Sequence, residues 1–325
     1  MFDVVQLVGG DEVFREPLRH SRVHEVLRKE HEPEDCSVVW SFGQRGTREQ
    51  HQLTSPSSIA IGSDGHFLVV DDAKTKIFNS SGEYVKSLSS RHHVVLDVDV
   101  DHDGNIYLLV QMVGEQNPQS YSYKVAVFGK DFKLHHKFQL RNKYEGCKLA
   151  VNEHHVEYKK ELVVLKKGSG GTHALVEVYQ TDSEGTFVCH FGQSILMDAQ
   201  DLVCASNGHI YVLDRCHCGS EKKCIREFGA RRYQLHSFEV DIDTLALALH
   251  RASEHIIIAS MKRSELFLSI YNSKGELEHT HPKIFRSGLV SSITVTTKGR
   301  VIVVLAPLQV SEEPQENIQG EVIVF

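Results

Sequence analysis

The sequence predicts an all-β fold, a six-bladed β-propeller of four-stranded blades, on three observations. One apolar phrase recurs along the chain: a short alternating strand, a turn with Gly, then a denser apolar strand. Each recurrence is followed by two further strand-like segments joined by turn residues. The last recurrence ends one strand short, and an unattached strand lies ahead of the first.

The phrase reads Ile59-Ala60-Ile61, Asp64-Gly65, then Phe67 to Asp71. It returns as Val98-Asp99-Val100, Asp103-Gly104 and Ile106 to Leu109; as Leu202-Val203-Cys204, Asn207-Gly208 and Ile210 to Asp214; and as Ile293-Thr294-Val295, Lys298-Gly299 and Val301 to Val304. Two degenerate copies fill the long gaps. Leu149-Ala150-Val151 with Leu162 to Leu165 has a lengthened turn, and Leu247-Ala248-Leu249 with Ile256 to Ala259 lacks the Gly. Six units of roughly 40–50 residues match the period of propeller blades. Third strands follow at 76–78, 123–128, 175–179, 224–228, 266–271 and 322–325, and turns such as Asn79-Ser80-Ser81-Gly82 and Asn272-Ser273-Lys274-Gly275 lead into fourth strands. Since the sixth unit stops after its third strand, Val38 to Phe42 is the strand that completes it and closes the ring.

Composition bounds the function. Hydrophobic residues at 41% and charged ones at 24% exclude a disordered or collagenous chain. No apolar run reaches the ~18 residues of a membrane span, and Asp3, Asp11 and Glu12 interrupt any leader-like segment, so a soluble cytoplasmic protein with no membrane partner is expected. The net charge of −7 gives no attraction to DNA, and nine acidic against five basic residues fall in 1–35. Seven cysteines, odd and scattered, suit reduced thiols. Residues 1–35 form an N-terminal extension, with Val23, Val26 and Leu27 at helical spacing and Pro33 as a stop; residues 36–325 form the propeller.

Trp40-Ser41-Phe42-Gly43, Gly46, Pro56, Ile59-Ala60-Ile61, Asp64-Gly65, Val69-Val70-Asp71 and Lys76-Ile77-Phe78 together resemble an NHL repeat. Phe191-Gly192 with Leu213-Asp214 is the next best copy, and the resemblance covers 38–325. It implies a six-bladed interaction module like the carboxyl-terminal domain of tripartite-motif (TRIM-NHL) ubiquitin ligases, which binds substrate proteins or RNA. The Asp that ends the second strand is kept as Asp71 and Asp214, and Thr75-Lys76 stands where the family carries Asn-Arg. The extension has no RING or B-box spacing, so ligase chemistry is not expected on this chain.

Aligning the repeats places Ser58, Asp97, Lys148, Asp201, Ala246 and Ser292 around the central channel. Related six-bladed lactonases hold calcium there, but Lys148 stands where it would neutralise Asp97 and Asp201, so no metal and no cofactor are expected. Cys216, His217, Cys218 and Cys224 are the weak zinc candidates, with one residue between the first two cysteines where zinc pairs have two to four. Paired histidines such as His135-His136 point to opposite faces of a strand. On the face carrying the inter-blade loops, the binding candidates are Arg45, Arg48, Lys166, Lys167, Arg215, Lys222, Lys223, Lys262 and Arg263. Acidic residues in the same loops nearly balance them. That favours a non-enzymatic module for a protein partner over single-stranded RNA, with a calcium-dependent lactonase or lyase as the remaining alternative.

Overall fold

The computed structural model describes residues 40–43, 51–89, 93–113, 121–141, 145–154, 159–168, 173–216, 222–281, 284–285, 288–307 and 320–325. The helix expected within 1–35 lies outside them. The described residues form 25 strands, with no α-helix among them, arranged as six antiparallel sheets.

Blade 1 consists of β2 (Pro56–Ile61), β3 (Phe67–Asp71), β4 (Lys74–Phe78) and β5 (Tyr84–Ser89). Blade 2 follows with β6 (His93–Val100), β7 (Ile106–Val113), β8 (Tyr121–Phe128) and β9 (Leu134–Gln139). Blade 3 comprises β10 (Glu145–His154), β11 (Lys159–Lys167), β12 (Ala174–Gln180) and β13 (Phe187–Phe191). Blade 4 is β14 (Asp201–Cys204), β15 (Ile210–Arg215), β16 (Lys223–Phe228) and β17 (Gln234–Val240). In blade 5, β18 (Thr244–His250), β19 (His255–Lys262) and β20 (Glu265–Tyr271) are covered by an outer strand in two pieces, β21 (Leu277–Thr280) and β22 (Ile284–Phe285). Blade 6 takes β23 (Leu289–Val295), β24 (Val301–Ala306) and β25 (Glu321–Val324) from the end of the chain and β1 (Trp40–Phe42) from its beginning.

Closure is therefore as the strand count predicts. Trp40, Ser41 and Phe42 pair with Val324, Ile323 and Val322. Beside them Leu53 donates its N–H to Gly43 O at 3.0 Å and accepts from Gly320 N at 2.7 Å, a second tie between the two ends of the ring.

The middle strands are apolar on both faces because each blade is covered by a neighbour on either side, so β3 and β25 are buried throughout. The recurring Gly residues sit in left-handed turns, Gly65 at φ 83° and Gly208 at φ 81°; blade 5, which lacks its Gly, uses Glu254 at φ 56°. Every third strand carries an aromatic at or within one residue of its end: Phe78, Phe128, Tyr179, Phe228, Tyr271 and Phe325. Five of these rings meet a ring on, or directly following, the outer strand of the preceding blade. The pairs are Phe42–Phe78 (4.8 Å), Phe138–Tyr179 (6.3 Å), Phe191–Phe228 (4.9 Å), Phe238–Tyr271 (5.4 Å) and His281–Phe325 (5.9 Å). At the remaining joint, Leu88 and Phe128 share one apolar cluster. These contacts fasten blade to blade around the rim.

Candidate functional site

The innermost strands line the channel, and the six predicted channel positions are structurally equivalent. Ser58, Asp97, Lys148, Ala246 and Ser292 each directly follow a bulge in the first strand of a blade, and Asp201 opens β14 at the same level. A bulge re-aims the side chain that follows it, which explains why polar residues repeat there.

These polar groups bind one another across the blade joints. Ser58 donates its hydroxyl to Asp97 Oδ1, and Asp97 Oδ2 accepts from Leu149 N at 2.7 Å. Two residues on, Asp99 accepts from Val151 N at 2.8 Å. Asp201 accepts from Leu247 N at 2.9 Å. Acids on blades 2 and 4 thus cap the inner strands of blades 3 and 5. Lys148 Nζ lies 3.7 Å from Asp97 Oδ1. Burial works against its charge, yet Asp97 and Asp201 hold the ammonium above the ordinary lysine value. Burial pushes Asp201 up to about 6 although Lys148 opposes it, and pushes Asp99 up to about 6 against Arg251.

Sequence reasoning missed Arg251. It stands on the first turn of blade 5, and its guanidinium reaches past blade 4 to Val151 O and Glu153 Oε2 of blade 3, both at 3.4 Å. Glu153 also binds His102 Nδ1 at 2.5 Å, and Lys160 binds Asp101 and Asp103 at 2.6 and 2.7 Å. This face of the ring is therefore crossed by a charge network. Nothing local in the sequence signals a contact that skips a blade.

On the opposite face, which carries the inter-blade loops, the predicted cations separate into groups. Lys166 is not a surface residue: it is fully buried, 3.0 Å from Glu177 Oε2 and donating to Arg141 O. Burial holds its ammonium below the ordinary lysine value although Glu177 opposes this. Lys223 is also buried, donating to Gln200 Oε1 at 2.8 Å and to Thr244 O. Both are structural because strand alternation turns one residue of each Lys-Lys pair inward. Lys167 pairs with Asp198 at 3.3 Å, Lys222 with Glu239, and Lys262 with Asp241 and Asp243 at 3.0 and 3.4 Å. Arg215 and Arg263 are exposed. Arg45 and Arg48 lie outside the described residues.

Cys216 and Cys224 are free thiols in mutual contact, and burial pushes Cys224 up to about 12. His217 and Cys218 lie outside the described residues, among which no group of three or more metal-ligating side chains gathers. No helix of the described residues is long and apolar enough to cross a membrane. A hollow of about 520 Å³ at the edge of blade 3 is lined by His173, His190, Phe191, Gly192, Gln193 and Ser194.

The fold and these sites define a six-bladed β-propeller. No protein-family model matches the chain, and no curated protein matches its sequence. Solved propellers do match its backbone. An aldose sugar dehydrogenase from Streptomyces coelicolor, solved with bound PQQ, superposes with a TM-score of 0.57 at 10% identity, covering 87% of this chain and 96% of that one. The WD40 propeller domain of Doa1 gives 0.52 at 12% identity, covering 82% and 78%. A chain of the mitotic checkpoint complex gives 0.54 at 12% identity, covering 99% and 98%. At such identities the likeness is one of fold, which hosts enzymes and binding modules alike.

Proposed function

We propose that this propeller is a non-enzymatic recognition module of the cytoplasm that binds a protein partner on its loop face, in the manner of the substrate-binding half of a tripartite-motif NHL protein. One observation carries the reading: among the described residues, the loop-face cations Lys167, Lys222 and Lys262 are each matched by a neighbouring carboxylate, a patchwork and not a cationic track. A phosphate backbone needs several unmatched cations in a row, whereas a protein surface is recognised by such local complementarity. The channel supports the same reading, since Ser58, Asp97, Lys148 and Asp201 are engaged with one another or with backbone amides. Structural neighbours include the WD40 propeller domain of Doa1 and a chain solved within an assembly, the mitotic checkpoint complex.

The test is affinity capture by the full chain from native lysate, with and without RNase, quantified by mass spectrometry. Proteins retained after RNase and lost on multiple charge reversal across the loop face support the proposal. Retention that RNase abolishes replaces it with RNA binding. Chelator-sensitive hydrolysis of a lactone by the pure chain replaces it with an enzyme.

A further inference from the structure

The joint between blades 1 and 2 is built differently from the others. Opposite the residue three positions before the third-strand aromatic, the outer strand carries Phe42, Phe138, Phe191 and Phe238 in blades 6, 2, 3 and 4, but Leu88 in blade 1. A leucine fills less of the rim than a ring, and the side chains around it are lysines. Lys86 pairs with Ile77 on β4 and Lys137 with Ala126 on β8, and both apolar partners belong to the cluster that blades 1 and 2 share. Cross-strand partners point to one face, so the two lysines face each other across the joint. Lys124 lies two residues before Ala126 on the same face of β8, diagonal to Lys137. Lys86 Nζ is 4.1 Å from the centre of the Phe132 ring in the β8–β9 turn, which sets this blade 1 cation against blade 2.

Lys86 and Lys124 are half-buried, and among the described residues no carboxylate pairs with them or with Lys137. The acids at the border are held elsewhere. Asp131 is taken by Lys133 at 3.1 Å, and Asp64 by His66, whose ring stands 6.2 Å from that of Phe132, at 2.8 Å. On the loop face, by contrast, Lys167, Lys222 and Lys262 each have a carboxylate. Like charges drawn out of water without a counter-charge are costly, so this cleft is complementary to an anion.

The chain carries an anion of matching spacing. Nine acidic against five basic residues fall in 1–35, and Glu30, Glu32, Glu34 and Asp35 gather just ahead of β1. Carboxylates at every second residue fall on one side of an extended chain about 7 Å apart, the spacing of diagonal neighbours such as Lys137 and Lys124. The reach is short. Trp40, which opens β1, packs on Gly82 in the β4–β5 turn, and Lys86 follows four residues later, at most about 14 Å away. The six steps of chain from Glu34 to Trp40 span up to about 20 Å. A tether of that length holds the carboxylates near the cleft at an effective concentration in about the millimolar range.

We infer that the lysine cleft between blades 1 and 2 is the docking site of the chain's own acidic segment, residues 30–35, whose carboxylates meet the ammonium groups of Lys86, Lys124 and Lys137. The contact fastens the N-terminal extension to the side of the ring and leaves the loop face open to a partner. Single-stranded RNA is the poorer fit, because it stacks bases on open aromatic faces and the Phe132 ring is covered by Lys86.

The experiment is zero-length cross-linking of the full chain with a carbodiimide, which condenses a carboxylate and a touching amine to an amide and takes up the water as a urea. Peptide mass spectrometry reads the linked pairs, with Lys222–Glu239 and Lys262–Asp241 as internal standards. Links from residues 30–35 to Lys86, Lys124 or Lys137 are expected within one chain. Lys124→Glu with Lys137→Glu should lower their yield at least about tenfold, since like charges then meet. Adding Glu30→Lys, Glu32→Lys and Glu34→Lys to that variant should restore the links with the signs exchanged. A second measurement leaves the ring untouched: with Glu30→Gln, Glu32→Gln and Glu34→Gln, acetylation of Lys124 and Lys137 should rise while that of Lys274 stays the same. Unchanged acetylation, or links to loop-face lysines as frequent as those to the cleft, overturns the site. In a mixture of heavy- and light-isotope chains, links found only between the two kinds assign the segment to a second copy and overturn docking within one chain. Shielding of Lys124 and Lys137 by added single-stranded RNA, with no links to residues 30–35, replaces the segment with nucleic acid.

Discussion

Lys148 Nζ lies 3.7 Å from Asp97 Oδ1 across the joint between blades 2 and 3, and its charge also acts on Asp201 of blade 4. One ammonium therefore serves carboxylates from two blades inside the channel. The Lys148 side chain is only 17% exposed, so the pair is weakly screened. Removing one member of a buried pair leaves an uncompensated charge. Lys148→Met is expected to destabilise the fold by about 3 kcal/mol at pH 7.5. The loss should be smaller at pH 5, where Asp201, already pushed up to about 6, takes a proton. Urea unfolding at the two pH values measures both; an equal loss at each would show that Asp201 does not sense Lys148.

Asp99 makes a second pH-dependent contribution. Its carboxyl sits at about 6 in the fold against an ordinary 3.8, chiefly through burial. The folded state thus holds its proton more tightly than the unfolded chain, so stability from this group is present at low pH and is lost as pH rises through 6. Asp99→Asn removes the titration. Linkage gives a difference of about 1.4 kcal/mol between pH 5 and pH 7.5, so the variant should look less damaging at the higher pH. A pH-independent cost would place the Asp99 carboxyl in the normal range.

The strand order, the closing strand and the equivalence of the channel positions were all legible in the sequence, because each follows from a period that repeats with a fixed offset. Even the degenerate third and fifth units kept their apolar strands. Side-chain partners were legible only where the same alignment is carried into the charges. Asp71 pairs with Lys76 at 2.8 Å and Asp214 with Arg226 at 2.7 Å, each acid also capping the loop that enters its blade. At those two aligned positions blade 3 carries Lys166 and Glu177, the same bridge with its signs exchanged. Read by itself, Lys166-Lys167 resembles a surface patch; read against Asp71 and Asp214, Lys166 belongs inside. Arg251 leaves no periodic trace, since its contacts skip a blade.

The exchanged bridge gives a test of whether Lys166 is structural. Lys166→Ala strands Glu177, which is 3% exposed, and should cost about 3–5 kcal/mol. Reversing the bridge to the blade 1 arrangement, with Lys166→Asp and Glu177→Lys together, should recover at least half of that in chemical denaturation. If Lys166→Ala melts like the parent and instead weakens partner capture, the residue belongs to the binding surface after all.

The rim contacts offer the most direct probe of how neighbouring blades are fixed. Phe138, on the outer strand of blade 2, is 5% exposed and presses on the turn of blade 3 at Gly185, where an added Cβ would fall 1.9 Å from the ring. A Cβ added at Gly82 would fall 2.5 Å from the Trp40 ring and one at Gly275 2.4 Å from the Phe238 ring, so three of the six joints set an aromatic against a glycine. Gly185→Ala combines this clash with a left-handed backbone at φ 61° and should cost about 2–4 kcal/mol. Gly65→Ala is the control for backbone alone: φ is 83°, but the nearest atom to the new Cβ is 3.7 Å away, so a cost of only about 1 kcal/mol is expected. Phe138→Ala should cost about 3–5 kcal/mol through the cavity it leaves. In the double variant the methyl introduced by Gly185→Ala enters that cavity, so the two losses should fall short of their sum by at least about 1 kcal/mol. Strict additivity, or a Gly185→Ala cost no larger than that of Gly65→Ala, would mean that the ring does not hold blade 3 against blade 2.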